Sequence, residues 1–257
     1  MRALCLVLEL LCFLGVGTPS WAAVSCALLT QNSDATNVNN HSTASVTPTS
    51  NALVLVFWRS VRNGTDGLTT PTITGNSLTW VPVTDQRFSQ AGAPESRITV
   101  VRSLGASPSA GAINAAYDSA VTNVNASWAV VECTGIDTSG TNGSGAVVQS
   151  TQGVQLAGTS LTLTLAAFGS AGNATVAGFA LDNDLAITNE GGYTELADTG
   201  TDDSGLGGQL EVEFLASNDT SPSATYSSAD AGGVAIEIKA AAAAGSETFG
   251  FRLRQMQ

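Results

Sequence analysis

Short apolar runs bounded by clusters of Gly, Pro, Asn, Ser and Thr recur along the chain, and none repeats at a capped helical period. Ala52–Trp58 is a continuous apolar run of the length expected for a strand buried on both faces. Ser77–Val83, Arg97–Arg102 and Ser127–Glu132 follow it, and Ser160–Leu165, Ala174–Ala180, Gln209–Phe214 and Val234–Ile238 come later. Two of these runs alternate strictly. Leu161, Leu163 and Leu165 share one face, as do Leu210, Val212 and Phe214, which predicts one buried and one wet face per strand. Glu211 and Glu213 fall on the face expected to be wet. The pattern predicts an all-β protein.

A weak internal repeat organises the strands. In the first half Trp80 is followed by a polar loop, the strand Arg97–Arg102, the turn Ser107-Pro108-Ser109-Ala110 and a strand ending at Glu132. In the second half Tyr193 is followed by an Asp/Gly loop, Gln209–Phe214, Ser221-Pro222-Ser223-Ala224 and a strand ending at Glu237. Neither half has enough strands to cover its own apolar faces. The expectation is therefore a single β-sandwich of two packed sheets, jelly-roll-like, whose two weakly similar halves share one core. The succession Ala52–Phe57, Gly75–Val83, Ile98–Arg102, Ser107–Ala112 and Trp128–Ile136, with its shorter echo to Ile238, resembles the β-sandwich surface modules of exported bacterial proteins and phage structural proteins. That resemblance spans about residues 24–239 and rests on strand pattern alone. It implies a structural, adhesive or carbohydrate-associated role and brings no catalytic residues with it.

Composition narrows the classes further. Only 12% of residues are charged, against roughly 25% in an ordinary soluble domain. The net charge of −12 and a single lysine, Lys239, exclude a phosphate-neutralising surface, so nucleic acid is not an expected partner. Acid is concentrated in the second half: from Gly153 to Ala240 twelve acidic residues stand against Lys239. Met1–Arg2, the apolar stretch Ala3–Gly17 and the small residues up to Ala23 read as a secretory signal peptide over residues 1–23. No later segment is long and apolar enough to span a bilayer as a helix, so the mature chain is expected to be secreted to the extracellular surface. Cys26 and Cys133 then remain, read either as one disulfide or as two buried thiols.

Chemistry is sparse. The one histidine, His41, lies in the polar run Asn37–Thr43 and is read as a solvated loop residue without a nucleophile to serve. The acid pairs Glu211/Glu213 and Glu132/Glu237 are the candidates for glycoside hydrolysis, but the first is expected on a solvated sheet face. Trp58, Trp80 and Trp128 fall in predicted strands and are read as core. No cofactor is expected apart from Ca²⁺, for which Asp182, Asp184, Asp198, Asp202 and Asp203 offer hard oxygen ligands on turns without matching an EF-hand. Residues 241–257 follow the sandwich as a small-residue spacer and a short basic strand. There Phe249, Phe251 and Leu253 alternate with Gly250, Arg252 and Arg254. The expected function is a non-catalytic structural or adhesive surface protein that self-assembles by adding this strand to a neighbouring copy, so that the chain's own copies are its partners. The alternative is a carbohydrate-binding module, Ca-dependent or not, with a surface glycan as partner.

Overall fold

The computed structural model describes residues 23–62, 67–88, 95–118, 124–202 and 206–242, so residues 1–22 and the tail bearing Phe249, Phe251, Arg252, Leu253 and Arg254 lie outside the described residues. The described chain contains fourteen antiparallel strands and no helix. The first eight are β1 (Ser25–Val38), β2 (Asn40–Ser42), β3 (Leu53–Arg62), β4 (Thr72–Gly75), β5 (Val81–Phe88), β6 (Glu95–Ser103), β7 (Ile113–Ala116) and β8 (Val124–Thr134). The second half supplies β9 (Val147–Thr162), β10 (Ala174–Leu181), β11 (Ile187–Asn189), β12 (Thr194–Thr201), β13 (Gly208–Leu215) and β14 (Ser223–Ile238).

The all-β sandwich expected from the sequence is present. One sheet, ordered β1-β8-β3-β6-β5, packs against a second ordered β12-β13-β10-β14-β9, with β11 continuing the β10 side of β14. Each half of the chain builds one sheet, and the two sheets repeat the same connectivity. The central strands are β3 and β10, each flanked by the last strand of its half (β8 or β14) and by an alternating strand (β6 or β13). The weak sequence repeat thus corresponds to a repeated topology.

The halves differ in one respect the sequence reading missed. A third, three-stranded sheet, β2-β7-β4, covers the outer face of the first sheet. With it, the first half follows the wrapped order of a jelly roll, β1-β8-β3-β6 facing β2-β7-β4, while β5 joins the larger sheet. The first half therefore covers its own outer face, with residues read as loop forming the roof, while its inner face still depends on the second sheet.

Three apolar layers follow from strand periodicity. In β3, Leu53, Leu55 and Phe57 point between the two large sheets, against Val176, Ala180, Leu210, Val212, Val234 and Ile236. The intervening Val54, Val56 and Trp58 point outward into a second core with Ile73, Ile113, Ala115 and Trp128. Trp58 and Trp128 stack with ring centroids 4.9 Å apart, and Trp58 Nε1 donates to the Tyr117 hydroxyl at 2.9 Å. Outside the second sheet Leu161, Leu163, Leu165, Phe179, Ile187 and Tyr226 form a third cluster. The sheets approach closely at Gly178, where the Phe57 ring occupies the space a Cβ would need. At Gly208 the same is true of the Arg59 guanidinium.

Arg59 is completely buried and links the sheets. Its Nε donates to Leu181 O at 3.0 Å, Nη1 to Thr201 Oγ1 at 3.3 Å and Nη2 to Gly207 O at 2.5 Å. Burial pulls its pKa down to about 10, against the opposing field of Asp182 and Asp184. On the far side Cys26 and Cys133, direct partners in the β1/β8 ladder, form a disulfide. Of the two sequence readings of these cysteines, the structure takes the bridge.

Candidate functional site

The long strand β9 ends the second sheet. It pairs with β14, and no strand among the described residues pairs with its other side. Only the run ending in Leu165 was predicted here; the strand lies earlier, and residues 163–165 instead bond to the chain before β14. The sixteen residues of β9 include no charged residue and no proline, the two features that commonly blunt an edge. Its ladder is regular from Gln149 to Gln155 and is interrupted by a bulge, where Ala157 has a φ of 47°, before it resumes at Gly158. Val148, Val154 and Leu156 are 49%, 39% and 47% exposed, and they share one face with Ser150 and Gln152. Among the described residues, the only other large apolar side chain so exposed is Val38.

The acidic face of the second sheet corrects the sequence reading. Glu211 and Glu213 do sit opposite Leu210, Val212 and Phe214, but both are fully buried. Their neighbours on β10 are Phe179 and Ala177, covered by the outer apolar cluster, and on β12 they face Asp198 and Glu195. No side chain donates a hydrogen bond to either carboxyl. Desolvation first, and then Glu195 and Asp198, push the Glu211 pKa up to about 8. Desolvation and Glu211 do the same for Glu213, although the Glu190 amide works in the opposite direction. Alternation assigned the two faces correctly; what it could not show is that the second face is roofed.

This pair does not divide into an acid and a nucleophile, because both members are pushed the same way. Glu132 and Glu237 are also no dyad. They lie on the outer faces of different sheets, Glu132 opposite Val54 and Glu237 opposite Thr175. Glu237 is buried and accepts from Asn173 Nδ2 at 2.5 Å and Gln149 Nε2 at 2.6 Å, beside a cleft of about 420 Å³. Lys239, at the same cleft, pairs with Asp137 at 2.7 Å, and that contact with the Ser139 bonds holds the Asp137 pKa at about 2. One oxygen of Glu237 ties the end of β14 to the start of β10 through Asn173, and the other ties it to Gln149 of β9.

The calcium candidates are dispersed. Asp182 Oδ1 accepts the Asp230 amide at 3.0 Å, and burial raises its pKa. Asp184 lies beside Gly200 and Gly207, Asp198 on β12 receives a bond from the Gln209 amide, and Asp202 is exposed. Asp203 lies outside the described residues. Among the described residues no three His, Cys, Asp or Glu side chains come together as metal ligands.

Two further readings change. His41 is not solvated: it sits in β2 at 2% exposure, with Nδ1 3.0 Å from Asp34 Oδ2 and its ring 6.3 Å from those of Trp58 and Tyr117. A three-residue strand is too short for its alternation to be seen in sequence. Burial opposes ionisation of Asp34, but Thr36 and His41 outweigh it and lower the pKa. Trp80 precedes its strand instead of lying in it. Asn76 and Ser77 take φ of 56° and 55°, and β5 begins at Val81. Asn76 Nδ2 reaches the carbonyls of Val46, Ser109 and Gly111 at 2.9–3.2 Å, which holds this turn. Trp80 is left half-buried.

No family model, no curated protein and no solved structure matches the chain.

Proposed function

We propose that this chain is a non-catalytic, exported structural or adhesive surface component whose copies associate by β-strand addition. The observation that carries the reading is the β9 edge, which is long, uncharged, free of proline and lined with exposed Val148, Val154 and Leu156. The donor strand in this reading is the C-terminal run Phe249–Arg254 of a second copy. It supplies an alternating apolar face for the β9 stripe and two arginines for the acidic half of the chain. A disulfide between Cys26 and Cys133 supports an oxidising compartment, as export requires.

The test is size-exclusion chromatography with light scattering on three proteins: the mature chain, the chain lacking residues 245–257, and the full chain carrying Val154→Lys. Multimers for the first and monomers for the other two are expected, since a lysine on the edge face opposes apolar packing of an added strand. A monomeric mature chain overturns the reading, and so do multimers that survive both changes.

A further inference from the structure

We propose that a cleft on the outer face of the first sheet, built around Trp80, is a binding site for a neutral saccharide. The cleft encloses about 300 Å³ between the β4 rim and the β5 edge. The buried Val101, Ile73 and Pro71 and the more exposed Trp80 and Pro82 make its apolar wall, and the exposed Thr70 and Thr72 supply its polar part.

Two features of this wall suit the apolar C–H face of a pyranose ring. The indole of Trp80 is held in place, because its Nε1 donates to Gly75 O at 3.2 Å and its buried side packs on the Trp58/Trp128 core. A ring fixed before binding loses little freedom when a ligand stacks on it. The proline rings beside it are rigid and add no side-chain hydrogen-bonding groups that would need satisfying.

The polar end supplies hydroxyl recognition. Thr70 Oγ1 donates to Asp85 Oδ2 at 3.1 Å and accepts from Arg97 Nη1 at 3.2 Å. Arg97 is also ion-paired with Asp85, whose other oxygen accepts from Thr99 at 2.6 Å. The Asp85 side chain remains 27% exposed, and Arg97 Nε is a buried donor with no hydrogen-bond partner. The group therefore offers the partly exposed Asp85 carboxylate and the exposed Thr70 hydroxyl while its own charges cancel. A ligand bearing phosphate or carboxylate finds no unpaired cation there, and the net charge of −12 repels it. What remains complementary is a neutral molecule with one apolar face and several hydroxyls. This inference does not depend on assembly through β9, which lies at the edge of the other large sheet.

The experiment is calorimetric titration of the mature chain with cellohexaose, laminarihexaose, chitohexaose and mannohexaose, with decaproline as the alternative occupant of an aromatic–proline groove. At least one saccharide is expected to saturate the protein. Trp80→Ala should weaken it tenfold or more, and Thr70→Val severalfold, while circular dichroism and the melting midpoint of Thr70→Val stay as in the parent. Intrinsic fluorescence gives a readout that needs no destabilising change: Trp58 and Trp128 are buried, so a saccharide-induced shift should vanish in Trp80→Phe. Three results overturn the proposal: no saturable binding to any of the four sugars, binding indifferent to Trp80 and Thr70, or binding of decaproline alone.

Discussion

The outer faces of β6 and β13 occupy equivalent places in the two large sheets, and the chain completes them in opposite ways. On β6 the outward residues are Arg97, Thr99 and Val101, and the facing strand β5 offers Asp85, so the charge is matched. On β13 the outward residues are Gln209, Glu211 and Glu213, and β12 offers Asp198 and Glu195, so like charges stand opposite one another. Like charges directly across a ladder destabilise it. The first half also carries the disulfide, a tryptophan-packed second core and a covering sheet, whereas the second covers its outer face with a strand-poor segment around Leu163, Leu165 and Phe168. Repeated topology thus does not bring repeated means of stabilisation. One half is held by covalent and ionic links, and the other buries two carboxyls whose protonated form burial favours.

The sharpest way to test this asymmetry is to open the disulfide. It closes a separation of 107 residues within the first half, so Cys26→Ser with Cys133→Ser should cost about 4 kcal/mol in urea unfolding. A change under about 1 kcal/mol would show that the bridge is not what distinguishes this half. Next in size is Arg59, through which the first sheet holds the second. Arg59→Met leaves three acceptors without their donor, and at about 1 kcal/mol for each bond the loss should be about 3 kcal/mol. Stability equal to the parent would mean that apolar packing alone joins the sheets.

The effect most specific to the second half comes from Glu211 and Glu213, and it depends on pH. Their folded pKa values near 8 lie above the ordinary 4.5, so the folded state favours the protonated form. Their contribution to stability is complete below about pH 4.5 and is lost as pH rises through 8, so the melting midpoint should fall between pH 5 and 8. Glu211→Gln with Glu213→Gln should flatten that slope and raise the midpoint at pH 8. A slope unchanged by the double substitution would assign it to other groups.

Much of this arrangement was legible in the sequence. The runs around Ala52–Trp58, Ala174–Ala180 and Gln209–Phe214 became the central strands, because a continuous or alternating apolar pattern suits only a sheet packed on one or both faces. The repeat also survived, as a shared strand order. Less legible were the short strands β2, β4 and β7, whose three or four residues are too few for alternation to stand out. With them went His41, read as solvated, and Trp80, placed by a turn at Asn76 and Ser77 that local pattern did not reveal. Arg59 sits just past the apolar run Ala52–Trp58, where a single charge gave no sign that it would reach across to Leu181 and Gly207.

Alternation along each strand determined which side chains share a face, and so placed Leu210 with Val212 and Glu211 with Glu213. Only the tertiary structure decided which of those faces meets water. That depends on what other segments roof the sheet, and the alternation within β13 carries no mark of them.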